Sequence, residues 1–421
     1  MIRHSQDFIK KVKDMNILVI NGSCLSVNSS ANLCHLAYLQ GLIDAGAHVS
    51  LLSASPVGYF TDVSMTIPAE IECHYVKAIS LYERLSYMKR RLRHNSEGVV
   101  VNPATTTQET PSILLKIKEG IRSLYGPHGI EHVFYCKSKK FTSGSVFDFV
   151  ISISHPPVSH LTAYKLLKSN HIKASHWIQI WEDPWYSDAY GFNGKADIFN
   201  EEKRLLSFAE KVCYVSPLTL RNQQRLFPES AEKMFWMPLP AYYKNAAPVH
   251  KSSGRNIYGY FGDYAPAARD LEPFYAAAYK ARVEVNVCGN PSNLFHSTDK
   301  IHIHPRLPLA ELKPIEDGTN VLVFLCNRQG GQIPGKIYQY SATDKTILFI
   351  LDGTEDEQAV LKDYFGKFNR YVFCRNTVED ITRAIRQIES GDIGSVRNVP
   401  LDDFEPSKII TNILKMGNDS L

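Results

Sequence analysis

Short, continuously apolar runs alternate along this chain with stretches whose apolar residues recur at helical spacing. The first pattern fits strands buried on both faces of a parallel sheet, the second amphipathic helices. NILVINGS (16–23) predicts a buried strand ending in a turn. Behind it, Leu33, Leu36, Ala37, Leu39 and Leu42 share one helical face, Gly46 predicts the helix end, and HVSLLSA (48–54) is the next strand. That strand–helix–strand unit opens a doubly wound α/β sheet. FDFVISIS (147–154), SHWIQIWEDPW (175–185) and KVCYVSP (211–217) predict further strands. VSHLTAYKLLKSNHI (158–172), EEKRLLSFAE (201–210) and LTLRNQQRLF (218–227) predict the helices among them.

At 241–256 the texture turns to AYYKNAAPVHKSSGRN, polar and rich in Ala, Pro, Ser and Gly, which predicts a linker. The strand–helix alternation then restarts. IYGYFGD (257–263), VEVNVCGN (283–290), TNVLVFLC (319–326) and TILFILDG (346–353) predict strands, and RDLEPFYAAAYKA (269–281), KIYQYSA (336–342) and TVEDITRAIRQIES (377–390) predict helices. The last has a capping threonine and acids in its first turn. We therefore expect two α/β domains, 1–245 and 252–405, followed by a C-terminal helix at 406–421. Ligands of such folds bind at the C-terminal ends of the strands, in a cleft between the two halves.

The region 78–140 departs from the alternation and reads as a basic helical insertion. Lys89, Arg90, Arg91 and Arg93 lie among Tyr82, Leu85, Tyr87, Met88 and Leu92, and a second basic amphipathic stretch follows at 111–127. Two solvated surface helices explain this pattern, and so does an interfacial patch at 82–125 for anionic lipid. The net charge of +4 is too small to point to nucleic acid. Hydrophobic residues make up 44% and charged residues 21%, ordinary for a folded soluble chain. The eight cysteines show no C-x-x-C spacing, which argues against a zinc site and fits a reducing cytoplasm. No signal peptide is evident in the first residues, and no apolar run reaches the length of a membrane span.

The turns after the first strands of both halves lack G-x-G-x-x-G, and no Walker A motif occurs, so neither dinucleotide nor P-loop chemistry has support. QGGQIPGK (329–336) has another character. Gly330, Gly331, Pro334, Gly335 and Lys336 precede a helix, where unpaired N–H groups and a lysine together suit a phosphate. Gln339, one turn on, suits ribose hydroxyls. Gly262 and Arg269, after the first strand of the second half, complete this candidate site. In the first half, WEDPWYSD (181–188) sets Glu182, Asp183 and Asp188 among Trp181, Trp185 and Tyr186. Such a mixture suits a sugar and offers a general base. His155 stands at the end of the preceding strand.

These residues resemble the GT-B glycosyltransferases, in particular the family 4-like group of bacterial polysaccharide and lipopolysaccharide biosynthesis, over about 15–400. NILVINGS with NSSANLCHLAYLQGLIDAGAHVSLLSASP is similar to that group's first strand, Ser/Gly loop and helix. WIQIWEDPW resembles its Arg-Asp-Pro-Trp run, FAEKVCYVSP its later strand, and IPGKIYQYSATDKTILFI its donor-nucleotide segment. The resemblance implies two Rossmann-like domains facing across a cleft. It implies a transferase moving a sugar from a nucleotide-diphosphate sugar to a glycan acceptor, often lipid-linked, without metal or cofactor and with retention at the anomeric carbon. It places Asp183, Glu182 and His155 near the reacting groups. Ser29, Ser30 and Trp185 fall on the acceptor side, and Gly262, Arg269, Pro334, Gly335, Lys336 and Gln339 at the donor. From the cysteine pattern, the basic stretch at 82–125 and the modest charge we expect a cytoplasmic protein with a peripheral place on the inner membrane face open to it, and no nucleic-acid partner. The chain departs from the pattern at Gln339, where the group has glutamate, and at Asp344–Thr346, where it has Gly-Lys-Pro. A non-catalytic scaffold of the same fold fits these departures, and a nucleotide-sugar epimerase remains an alternative because fold alone does not give function.

Overall fold

The computed structural model describes residues 12–56, 63–79, 120, 126–188, 195–242 and 255–418. The expected linker lies largely, and the basic stretch at 82–125 almost wholly, outside the described residues. The chain divides into two units. The first comprises the residues up to Val215, then Leu220–Tyr242 and the segment from Pro406; the second comprises Ser216–Thr219 and Tyr243–Glu405.

The first unit is built on a seven-stranded sheet, every neighbouring pair parallel, in the order β3-β2-β1-β4-β5-β6-β7. Its strands are β1 (Asn16–Asn21), β2 (His48–Ala54), β3 (Glu72–Val76), β4 (Val146–Ser154), β5 (Lys173–Trp181), β6 (Lys211–Tyr214) and β7 (Met234–Trp236). Among the described residues their flanking helices include α1 (Ser30–Asp44), α2 (His132–Ser138), α3 (Val158–Lys168), α4 (Ala196–Phe208) and α5 (Pro217–Leu226). The apolar runs of β1, β4 and β5 are buried on both faces, as their continuous hydrophobicity requires. The strand order reverses at β1 and β4, so the ends of these two strands and of β5 form the natural ligand edge.

The second unit repeats the plan with six parallel strands in the order β10-β9-β8-β11-β12-β13. They are β8 (Ile257–Phe261), β9 (Glu284–Cys288), β10 (Ile301–His304), β11 (Val321–Leu325), β12 (Thr346–Leu351) and β13 (Tyr371–Arg375). The helices are α6 (Glu272–Ala281), α7 (Leu309–Gly318), α8 (Lys336–Ser341), α9 (Glu355–Gly366) and α10 (Val378–Ser390). The expected threonine cap is present: Thr377 Oγ1 accepts from the Asp380 amide at 3.2 Å, and Gly391 closes α10 at φ 74°.

The C-terminal helix α11 (Pro406–Gly417) packs within the first unit rather than the second. Ile409, Ile410, Ile413 and Leu414 are buried along one face of it. Gly41 of α1 lies directly against the Pro406 carbonyl, where a Cβ would clash. The absent side chain is what lets the two helices approach.

Candidate functional site

In the first unit the residues after β1, β4 and β5 meet at one edge. Register sets Asn21 beside Ser53 and Ser154 beside Trp181. Asn21 is fully buried; its Nδ2 lies 3.2 Å from His35 Nδ1, and its Oδ1 accepts from the Ser23 amide at 2.8 Å. His35 Nε2 is 3.2 Å from Glu182 Oε2. Glu182 is thus a buried carboxylate paired with a buried histidine. Asp183, next in the chain, is the exposed one. Both carboxylates act on the thiol of Cys34, which burial, Glu182 and Asp183 push well up.

His155 is half-exposed; its Nε2 stands 3.8 Å from Glu131 Oε1, and its carbonyl accepts from Ser23 Oγ at 3.1 Å. Ser29 caps α1 by accepting from the Asn32 amide at 3.1 Å, and Ser30 is exposed in the first turn. Asn32 in turn donates to the Cys24 and Val27 carbonyls at 3.0 and 2.8 Å, closing the loop before the helix. Of the aromatic residues in this loop, Trp181 and Trp185 are buried and Tyr186 is partly exposed. Trp181 is fully buried with its ring 4.3 Å from that of His160, and Trp185 is buried with its ring 4.7 Å from that of His128. The apolar bulk of both indoles is spent on the core, so Trp185 does not present a face to an acceptor.

Glu201 and Glu202, on α4, were not singled out in the sequence. Glu201 accepts from Arg204 Nη2 at 2.6 Å and lies 3.0 Å from His128 Nε2. Burial raises its pKa, but the His128 and Arg204 hydrogen bonds outweigh that and bring the carboxyl down to about 2. Glu202 is fully buried, accepts from the amides of Trp185 and Tyr186, and is pushed up by burial to about 7. Two adjacent acids in a helix gave no signal in the sequence, because only the fold shows that one meets cations and the other backbone.

In the second unit, Lys336 opens α8 and is half-buried. Among the described residues neither Lys336 nor Gln339 makes a side-chain hydrogen bond or an ion pair. Burial lowers the pKa of Lys336, against the opposing fields of Glu316, Cys288 and Asp263 and with the help of Arg306. Those neighbours place it near the ends of β8 and β9. Arg269 is tied to its own unit: Nε donates to Asn327 Oδ1 at 2.7 Å and Nη1 to the Asp263 carbonyl at 3.2 Å.

A Cβ on Gly262 would meet only ordinary contacts, whereas one on Gly289 would run into the Gly262 carbonyl. The close approach in the fold is between the backbones at 289 and 262, and the space beside Gly262 stays open. Gly331 takes φ 72° and packs against Leu218, and its carbonyl accepts from Ser216 Oγ at 2.6 Å. Its place is to shape the loop. Pro334 and Gly335 accept from the Ile337 and Tyr338 amides at 3.3 and 3.2 Å, forming the tight first turn of α8. At six residues α8 is less than two turns long, too short for a strong macrodipole, so positive charge here is mainly that of Lys336. The departure at Asp344–Thr346 is structural as well: Lys345 is buried and donates to the Glu316 and Asp317 carbonyls at the end of α7. Behind the loop a cavity of about 10 Å³, lined by Cys326, Asn327, Gln332 and Asp352 among others, has room for about one water and none for a nucleotide. Among the described residues no group of three or more His, Cys, Asp or Glu is arranged to hold a metal ion, and no helix is long and apolar enough to cross a membrane.

Neither a protein-family model nor a curated protein matches the chain. Solved structures do. The catalytic domain of starch synthase IV from Arabidopsis thaliana, bound to ADP and acarbose, aligns at TM-score 0.58 and 9% identity over 96% of this chain and 99% of that one. Sucrose-phosphate synthase from Thermosynechococcus elongatus aligns at 0.55 and 13% over 96% of each chain. A glycosyltransferase from Rickettsia africae aligns at 0.55 and 11% over 96% and 98%. At such identities the likeness is one of fold, and with the two parallel sheets it establishes the two Rossmann-like domains of the GT-B architecture in this chain.

Proposed function

We infer that the protein is a glycosyltransferase that takes a sugar from a nucleotide-diphosphate sugar and passes it to a glycan acceptor. The observation that carries this reading is Lys336: a half-buried cation, its charge disfavoured by burial, with no hydrogen bond or ion pair among the described residues. An unpaired cation in such a place is costly unless an anion compensates it. A diphosphate at the strand ends would do so, and Gln339 on the same helix offers an amide to the adjoining ribose. That an aligned starch synthase holds ADP on this fold supports the same ligand class. In the first unit Asp183 is the carboxylate we assign to the reacting sugar or the acceptor hydroxyl, with half-exposed His155 beside it at the neighbouring strand end. As the sequence resemblance implies, we take transfer to be retaining and metal-independent. We take the acceptor to be lipid-linked in cell-surface polysaccharide synthesis, reached from the inner membrane face.

The test is thermal stabilisation of the purified protein by UDP, GDP, CDP and ADP in turn. A ligand that binds only the folded state at about a hundred times its Kd adds about 2.7 kcal/mol. We expect one nucleotide to stabilise the protein and Lys336→Ala to weaken that nucleotide tenfold or more, which removes about 1.4 kcal/mol of the effect. Equal stabilisation of the variant would remove Lys336 from the site. No stabilisation by any of the four would count against the donor reading itself.

A further inference from the structure

The geometry points to Glu202 as a positioning residue for the loop at 182–188, its carboxylate holding the loop backbone and thereby setting where Asp183 stands. The importance of Asp183 rests on the transferase reading; the hold on the loop does not.

Glu202 reaches the loop from α4 and is fully buried. Its two oxygens are used on two successive amides: Oε1 accepts from Trp185 N at 3.3 Å and Oε2 from Tyr186 N at 2.6 Å. Among the described residues it has no ion-pair partner, since Arg204 and His128 are taken by Glu201. The titratable group facing it is the Tyr214 phenol of β6, which burial and then Glu202 push well up. Tyr214 Oη lies 3.5 Å from Gln223 Oε1, and Gln223 Nε2 donates to Ser187 Oγ of the same loop at 2.7 Å. The loop is also tied through Glu182 to His35 and through the Trp185 ring to His128. Asp183 is the exposed side chain left between these anchors.

A core position alone does not require an ionisable group, because an apolar side chain of similar volume is often no less stable there. What a carboxylate adds is two acceptors aimed at two donors. Only the ionised form supplies both, because protonation turns one oxygen into a donor facing an N–H. Burial moves the carboxyl from its ordinary 4.5 to about 7, so the two forms exchange near neutral pH. The raised value means that the folded state keeps the proton up to about pH 7. The stability this contributes is full below 4.5 and is lost as pH rises through about 7, while the grip on the loop tightens over the same interval.

Amide hydrogen exchange read by mass spectrometry on the full chain tests this, at pH 6 and pH 8 with rates corrected for intrinsic exchange. In the wild type we expect the Trp185 and Tyr186 amides to be several-fold better protected at pH 8. In Glu202→Gln we expect them to exchange about tenfold faster at pH 8 with the pH response gone, as loss of a charged acceptor implies, while the β4 amides keep their rates. A variant loop as protected as the wild type at pH 8 would overturn the proposal. So would protection lost evenly across the first unit, which marks a purely structural acid. Should the variant fail to fold, the wild-type series decides: a loop whose protection is the same at both pH values overturns it. Because none of these readouts needs a substrate, they stand apart from the nucleotide test. In an assay of transfer, the positioning role predicts lower turnover in the variant with nucleotide affinity unchanged.

Discussion

Glu182 and Asp183 are chemically near-equivalent neighbours with opposite surroundings. Glu182 turns inward to His35, and Asp183 faces solvent. Removing one member of a buried pair leaves the other without compensation. Glu182→Ala should therefore cost about 3 kcal/mol in urea unfolding. Asp183→Asn should stay within about 0.5 kcal/mol of the wild type, as exposed substitutions do, yet depress transfer. Equal stability of both variants would show that the His35 contact carries little weight. Glu201 and Glu202 repeat the contrast: cations draw one down to about 2, while burial among backbone donors lifts the other to about 7. At this scale the sequence located the acidic loop and Lys336. It did not separate Glu182 from Asp183, because residue type is silent about which way a side chain turns at a strand's end. It also overvalued Trp185, whose amphipathic ring fits a sugar and a core equally well until His128 is seen packed on it.

Elements were most legible where burial is two-sided. The runs at 17–20, 149–153, 321–325 and 347–351 are largely apolar, and each lies within a central or near-central strand. Edge elements were not read. β3 is only partly buried and β10 carries two histidines, so neither shows a continuous apolar run. α7 contains Pro314, which argues against a helix, and buries none of its residues, so it shows no apolar face either. The packing of α1 on α11 hinges on one missing side chain. Gly41→Ala should destabilise the first unit by about 1–3 kcal/mol, although alanine is the better helix former, because its methyl meets the Pro406 carbonyl. A neutral or stabilising result in thermal unfolding would mean that α11 shifts freely to accommodate it.

For the whole molecule, the one proposed partner surface rests on sequence alone. Lys89, Arg90, Arg91 and Arg93 lie within a stretch outside the described residues. Each basic residue near an anionic bilayer is worth about 1 kcal/mol, a force that salt screens. The protein should therefore float with vesicles containing phosphatidylserine at low salt and be released at high salt. Failure to float at low salt would remove the membrane from the proposal, leaving the donor site untouched.

By itself the sequence determined the class of the protein. Parallel strands crossed by helices follow from the period of the apolar residues, and the repeat of that pattern after a polar stretch implies two similar halves. The tertiary structure decided what pattern cannot encode. It gave α11 to the first unit, made Gly289 and Gly331 the glycines that the backbone requires, and left Lys336 half-buried without an ion pair among the described residues. The reason is range. Periodicity records which side of an element is buried, a property of neighbours in sequence. Whether a charge is paired, or a backbone approached, depends on groups that only the completed fold brings together, as with the 132 residues that separate Ser23 from the His155 carbonyl it holds.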